Sequence, residues 1–410
     1  MRLLSRRAPH STSSGVEPPV SVVLVISNLE YGGAQRQVVE IANQLPQCGF
    51  TVHVCSLSSY VPLGAHLHAR PHQLRIIPKR WKFDLLIVLR LAAFLRQVQA
   101  DVVHGFLFDA NIAARIAGFL ARTPLVIDSE RNSHYHLKRR QLLAYAMTRR
   151  MRNLCVANSQ AGAEFNSRLT GMPIERYRVI YNGVDVERFR PGDRSYARRS
   201  LGLSDDQYVV GMFASFKPQK NHEMALRAFA QLALRVPTAR LLLVGDELAG
   251  GLHGSSNHKQ VTLKLIDTLG IHERCLVLGN RVDVETLYPA CNVVVLPSLF
   301  EGTPNVALEA MACAVPVVAT EVADNNLVIP NGKAGRIVAL GDVDGLAATL
   351  AAMAANPDDI ARMGSFARHW VATEFSRDKM IANLASVYRA GTQVVRSAQA
   401  GRAHAVVISG

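Results

Sequence analysis

The sequence predicts an α/β protein built from two doubly wound domains. Three observations carry that expectation. The chain has 410 residues, more than one ordinary hydrophobic core accommodates. Hydrophobic residues make up 49% and aromatics 6%, a balance that favours aliphatic α/β packing over an all-β sandwich. Short aliphatic runs alternate with helical patterns, and this alternation runs through twice.

In the first half the aliphatic runs fall at 20–27, 51–57, 101–104, 124–128, 153–157 and 178–181. Helical patterns lie between them at 34–45, 84–99, 110–121 and 138–150. Runs that are apolar on both faces predict parallel strands covered on both sides. Strand–helix alternation predicts right-handed crossovers. The pattern pauses at 189–204, which is charged and carries Pro191 and Gly192, then restarts with runs at 208–213, 240–245, 275–279, 292–297 and 316–320. The expected organisation is therefore a basic tail (1–19), a first domain (20–190), a second (191–375), a closing helix (376–392) and a tail (393–410). No strand follows the closing helix, so it is expected to pack back across the first domain. Two open parallel sheets leave a cleft between their C-terminal strand edges, where ligands bind.

Residues 1–19 are rich in Arg, Ser and Pro and lack the apolar centre of a signal peptide; a disordered tail is expected there. No run of about 18 apolar residues is present, so no spanning helix is expected. The six cysteines form no C-x-x-C pair and lie mostly in apolar runs, which suits buried thiols in a reducing, cytoplasmic setting. The net charge of +14 is concentrated in residues 1–190, with 25 Lys and Arg against 12 Asp and Glu. An anionic partner is expected on that half. Nucleic acid is excluded by the lack of a recognised motif or aromatic stacking platform. An anionic membrane surface remains, approached through residues 71–99, with Trp81 and Phe83 beside Arg80 and Lys82, and residues 138–152, KRRQLLAYAMTRRMR.

The segment that carries most chemistry is 298–320, SLFEGTPNVALEAMACAVPVVAT. A strand ends at 297–298, a short Gly-containing turn follows, and a helix starts near Pro304. The amides of Gly302, Thr303, Asn305 and Val306 are expected to be unpaired there, ready for a diphosphate or sugar hydroxyls. Glu301 precedes the helix and Glu309 lies in its apolar body, where an unpaired carboxylate would be costly. Both can accept hydrogen bonds from sugar hydroxyls.

This segment resembles the E-x₇-E donor motif of the retaining glycosyltransferases of family 4, which have the GT-B fold of two Rossmann-like domains facing across a cleft. The resemblance covers almost the whole chain. It extends to EYGGAQRQVVEIANQL (30–45), IYNGVDVERFRP (180–191), FKPQKNHEMALRAFA (216–230), LLLVGDE (241–247) and LGNRVDVETLYPACNVVVLPS (278–298). It implies that Lys220, with Lys217 beside it, binds the donor diphosphate and that Glu309 holds the ribose. Glu301 is implied near the sugar hydroxyls, and Arg281 and Val282 at the base. Gly32 and Gly33 follow the first strand and let backbone approach the phosphates or the acceptor. Lys220, Glu301 and His104 are the expected catalytic residues.

Three positions depart from the family's pattern. Ser215 stands where an arginine is common, Arg131 or Glu130 (in DSERN) where a histidine follows the fifth strand, and Ala323 where a glycine is usual. Asp342-Val343-Asp344 spells the D-x-D of metal-dependent transferases, but between a strand and a helix Asp342 is better read as an N-cap. No metal ion and no cofactor is expected, because Lys220 and the helix amides meet the diphosphate. The donor is a substrate, with UDP ahead of GDP, and the acceptor a hydroxyl of a lipid-linked or cell-envelope glycan. The chain is expected to be a monomer or weak dimer, peripheral at the inner face of a membrane. The alternatives are a sugar-nucleotide epimerase of the same fold and a non-catalytic, anion-binding partner subunit.

Overall fold

A computed structural model describes residues 19–68, 73–80, 84, 86–131, 133, 137–247 and 257–408. Among these, the first sheet has seven parallel strands in the order β3-β2-β1-β4-β5-β6-β7. They are β1 (Val20–Ile26), β2 (Phe50–Ser56), β3 (Leu74–Ile76), β4 (Val102–Phe106), β5 (Leu125–Glu130), β6 (Leu154–Ala157) and β7 (Tyr177–Val179). The connecting helices are α1 (Gly33–Gln44), α2 (Leu86–Gln97), α3 (Phe108–Ala121), α4 (Arg139–Thr148) and α5 (Gln160–Thr170). After a linker with a short helix α6 (Arg194–Ser200), a second parallel sheet follows in the order β10-β9-β8-β11-β12-β13. Its strands are β8 (Tyr208–Phe213), β9 (Ala239–Val244), β10 (Cys275–Val277), β11 (Val293–Leu296), β12 (Val317–Thr320) and β13 (Gly335–Val338). Its helices are α7 (His222–Arg235), α8 (His258–Thr268), α9 (Val284–Leu287), α10 (Asn305–Ala312), α11 (Asn325–Val328), α12 (Val343–Ala354) and α13 (Pro357–Glu374).

The central strands β1, β8, β11 and β12 are apolar and buried on both faces, as parallel strands covered by helices are. Val22, Val23, Leu24, Val25 and Ile26 alternate faces along β1, and all five are buried. Fully burying such a side chain stabilises by about 1.5–3 kcal/mol, so these runs set the register. Sheet order reverses between β1 and β4 in the first domain and between β8 and β11 in the second. The crevices at those reversals, beyond the strands' C-terminal ends, face each other.

The chain closes back on itself as expected. The last helix, α14 (Arg377–Ile408), buries Met380, Ile381, Leu384, Ala385 and Tyr388 in the first domain's core. It runs past the expected end at 392 and continues as helix where a tail was expected. Where it leaves the second domain it crosses the linker: Val184 N–H donates to Phe375 O at 2.9 Å and Arg377 N–H to Val184 O at 2.8 Å. Gly183 is required at this crossing, because a Cβ there would lie 2.7 Å from the Arg377 Cα. Strand β3 was not expected; its three residues are mostly exposed, so its apolar signal is weak, whereas β13 is the strand implied ahead of Asp342. No helix of the described residues is long and apolar enough to cross a membrane.

Candidate active site

Lys217, Lys220, Glu301 and the start of α10 converge because they follow the two strands that flank the second sheet's reversal, whereas Arg281 and Val282 follow the edge strand β10. After β8, Lys217 leads into a single turn, Pro218–Lys220. Asn221 then takes a left-handed conformation (φ 51°), which asparagine tolerates, and caps α7 by accepting from the Met224 N–H. This turn is stitched to the loop after β11: Leu299 N–H donates to Gln219 O at 2.9 Å, and the Gln219 amide to Phe300 O at 2.8 Å. Lys220 Nζ thereby reaches Glu301 Oε1, at 2.5 Å.

Helix α10 starts at Asn305, with Pro304 as its N-cap rather than inside the first turn. Among the described residues, no bond is formed by the amides of Gly302, Thr303, Asn305 or Val306, while Ala307 and Leu308 donate back to Pro304 O. Glu309 lies deeper on the same helix. Its carboxylate accepts from the Tyr288 hydroxyl at 2.7 Å and lies 3.8 Å from Arg36 of the first domain. Burial raises the Glu309 pKa, and Arg36 and Tyr288 offset only part of that rise. Burial and the nearby Lys220 charge pull Lys217 down to about 8.

The first domain is closed onto this turn. Asn182 in the linker donates to Thr303 O at 3.1 Å and to Asn305 Oδ1 at 2.7 Å. Thr303 donates its hydroxyl to Asn158 O. Ser133 donates to Glu301 O through its backbone and its hydroxyl. Gly33 O accepts from the Asn305 amide at 3.4 Å, while Gly32 is the N-cap of α1. Gly302 is needed for this approach, since a Cβ there would lie 2.6 Å from Arg131 O. Arg281 is held by two bonds to Asp283, and the Val282 side chain is 73% exposed with its carbonyl bonded to Arg188.

His104 is corrected by the structure. Its side chain is fully buried in the middle of β4, with Nδ1 2.6 Å from the Tyr388 hydroxyl on α14. With Arg131 it lines a cavity of about 10 Å³, room for no more than one water. Burial first, and the Arg131 charge second, push His104 down to about 3, so the ring is neutral. The contacts it makes are packing against Phe106 and the hydrogen bond to Tyr388. Arg131 donates to Asn182 Oδ1 at 2.8 Å and lies over the Phe106 ring. Burial lowers it to about 10, so it stays cationic at neutral pH. Ser215 lies in the loop after β8, beside Gly245, with no charged group of its own. Asp342 caps α12 by accepting from Gly345 N–H at 2.8 Å, as the D-x-D segment was read.

Sequence reasoning did not single out Asn158, Asn182, Arg36 or Tyr288. Asn182 lies inside the IYNGVD segment and could have been found there. Asn158, Arg36 and Tyr288 acquire roles only through domain closure or packing, for which no local signal exists.

Two family models match the chain in succession: Glycosyltransferase Family 4 over residues 31–188 and Glycosyl transferases group 1 over residues 193–370. A D-inositol 3-phosphate glycosyltransferase of Kribbella flavida is 27% identical over 366 residues, 82% of this chain and 85% of that protein. The protein of that name from Mycolicibacterium paratuberculosis is 36% identical over 216 residues, 52% of this chain. The chain spans about half the length of that relative, 47%. The crystal structure of Anabaena HepE in complex with UDP-glucose superposes with a TM-score of 0.80 at 23% identity, covering 90% of this chain and 99% of that one. WaaG, a glycosyltransferase involved in lipopolysaccharide biosynthesis, gives 0.70 at 18% identity, again over 90% of this chain and 99% of that one. At these identities the two structures speak to the fold.

Proposed function

The chain belongs to glycosyltransferase family 4, and on that premise we propose that it moves a sugar from a nucleotide-diphosphate donor to a hydroxyl acceptor, with retention at the anomeric carbon. One observation carries the reading: Lys220 pairs with buried Glu301 at the turn into α10, where, among the described residues, the amides of Gly302, Thr303, Asn305 and Val306 form no bond, and Glu309 lies buried deeper on the helix. Lysine and helix-terminal amides stabilise the charge that builds on a departing diphosphate. Before donor binding, Lys220 and Glu301 neutralise each other. A diphosphate draws Lys220 away, and Glu301 is then free to accept hydrogen bonds from the sugar. Glu309, rigidly placed by Tyr288, accepts from the ribose hydroxyls. The bond from the anomeric carbon to the diphosphate oxygen breaks while the acceptor oxygen bonds on the same face. The leaving phosphate oxygen takes the acceptor's proton. Lys220, Glu301 and the amides contribute orientation and charge.

UDP stands ahead of GDP as the nucleotide, supported by the UDP-glucose bound to the HepE relative. The exposed Val282 would offer the base an apolar edge. The diphosphate charge is met without a metal ion. Turnover of UDP-sugars is therefore expected to survive EDTA, with an α-linked product from an α-linked donor by NMR. Loss of activity on chelation, restored by Mn²⁺, or an inverted product would contradict it.

The acceptor is a membrane-proximal or lipid-linked glycan, reached from an anionic surface. Helix α4 supports this reading. Leu143 is 61% and Met147 71% exposed, and Arg139, Arg140, Arg149 and Arg150 are exposed around them. Exposed Phe119 at the end of the neighbouring α3 adds to the face. Such a mixture suits an interfacial helix, each cation adding about 1 kcal/mol near anionic lipid. Arg152 faces inward onto Asp128 and is subtracted from the expected set. In the 71–99 segment, Lys79 pairs with Asp109 and Arg90 with Asp84, while Trp81, Lys82 and Phe83 lie outside the described residues. Co-sedimentation with anionic liposomes is expected, weakened by salt and by reversing the four arginines to Glu. Binding unchanged by that reversal would refute α4 as the docking face.

A further inference from the structure

Asp324 belongs to the second domain, in the loop between β12 and α11, yet its carboxylate is buried among partners from the other half of the molecule. It accepts from the Gln160 N–H at 2.5 Å, the Ala161 N–H at 2.9 Å and the Tyr181 hydroxyl at 2.9 Å. Gln160 and Ala161 open α5 of the first domain. Their N-cap, Ser159, accepts from Gly162, leaving the first two amides to the visiting carboxylate. A negative charge at a helix N-terminus is favourable, and here that charge is supplied from across the cleft. The residue before it, Ala323, has φ 47°, a left-handed conformation that a side chain disfavours. That conformation holds the loop in the turn from which Asp324 reaches α5.

Both sides of this contact lead directly to the donor turn. On the second domain, Thr320 donates to Ser298 O at 2.7 Å, and the Asn325 amide donates to Thr320 O at 3.0 Å. The Asp324 loop is thus tied to the start of the turn that carries Glu301. On the first domain, Asn158 lies two residues before Gln160 and accepts the Thr303 hydroxyl, and Asn182 follows Tyr181 and grips Thr303 and Asn305. Each partner of Asp324 is thus a near neighbour in sequence of a residue that holds the donor turn.

We propose that Asp324 is a positioning residue: it latches the two domains closed and sets the register in which an acceptor on the first domain meets the sugar on the second. Parting the domains strips the first two amides of α5 of their acceptor and returns the carboxylate to water, so the contact biases the chain toward the closed state. The kinetic part of this proposal rests on the transferase reading above; the distance part does not.

The test places spin labels at Leu234→Cys and Phe119→Cys, both exposed and on different domains, in a background with Cys48→Ser and Cys275→Ser, the two partly exposed free cysteines. Pulsed electron resonance then reads the distance between them. The otherwise unaltered chain should give one narrow distribution. Asp324→Ala should broaden it toward longer distances, and Tyr181→Phe should do so to a smaller extent. With a turned-over donor, Asp324→Ala should lower kcat about tenfold with donor KM within about twofold and an unchanged melting temperature. Lost stability would instead lower the melting temperature, and Asp324→Asn should fall between the two forms. An unaltered distance distribution in Asp324→Ala overturns the latch. A shifted distribution with unaltered kcat overturns the positioning role. If no donor is turned over, the transferase reading fails while the distances still decide the latch.

Discussion

The two halves of the molecule are each built on a parallel sheet covered by helices, and they use buried charge in opposite ways. In the first domain the charges are consumed internally. Asp128 is fully buried and held by Arg115 and Arg152, and Arg115 also reaches Thr148. Glu130 accepts from Tyr145, and His104 is bonded to Tyr388. Burial alone would raise Asp128, but the two guanidiniums override it and hold the carboxyl below its ordinary range. In the second domain Lys220 and Glu301 pair with each other, Glu309 is held by Tyr288 and lies 3.8 Å from Arg36 of the opposite domain, and, among the described residues, the amides at the start of α10 form no bond. A network closed within its own domain anchors helices; contacts that cross a cleft can be exchanged for a ligand. The contrast fits the proposal that the donor chemistry sits on the second domain with the first as support, even though the first carries most of the net charge.

The comparison is broken or sharpened most strongly at Asp128. Asp128→Ala leaves two buried arginines without their counter-ion and is expected to cost about 3–5 kcal/mol in denaturant unfolding of the first domain. A loss below about 1 kcal/mol would mean that the network is not closed in the manner described. A smaller effect is expected from Lys217. Lowered to about 8, it is cationic below that pH and loses its charge above it. Donor affinity should therefore be flat below pH 7 and weaken as pH rises through 8. Lys217→Arg, which keeps its charge, should flatten the profile. A flat profile in the unaltered chain from pH 7 to about 9.5 would remove Lys217 from the diphosphate site. The smallest effect on turnover is expected at His104. His104→Phe strands the Tyr388 hydroxyl and should cost about 1–3 kcal/mol of stability with kcat within about twofold. Adding Tyr388→Phe should recover much of that stability. A hundredfold loss of kcat in the folded single variant would restore His104 as a catalytic residue.

The legible parts of the sequence were those that a single segment determines. β1, β8 and β12 could be read because each is a run buried on both faces. The donor turn could be read because Gly302, Pro304 and the two glutamates lie within one strand–turn–helix. β3 escaped because it is three residues long and mostly exposed, too short to show an apolar run. His104 was misread because VVH was taken to end the strand. β4 continues through Gly105 and Phe106, which carries the ring into the core. Asn158 and Asp324 escaped for another reason: each acquires its role only when two domains distant in sequence close. The helix from 138 was legible in extent, but Arg152 could not be separated from its exposed neighbours until Asp128 was seen beside it.

The most direct test of the central claim is donor turnover by Lys220→Ala and by Glu309→Ala, each checked for an unaltered fold by circular dichroism and melting. The account predicts that each lowers kcat/KM for the nucleotide sugar at least tenfold, about 1.4 kcal/mol of transition-state stabilisation. Kinetics within about twofold of the unaltered chain in both folded variants would contradict it and move the donor site away from the start of α10.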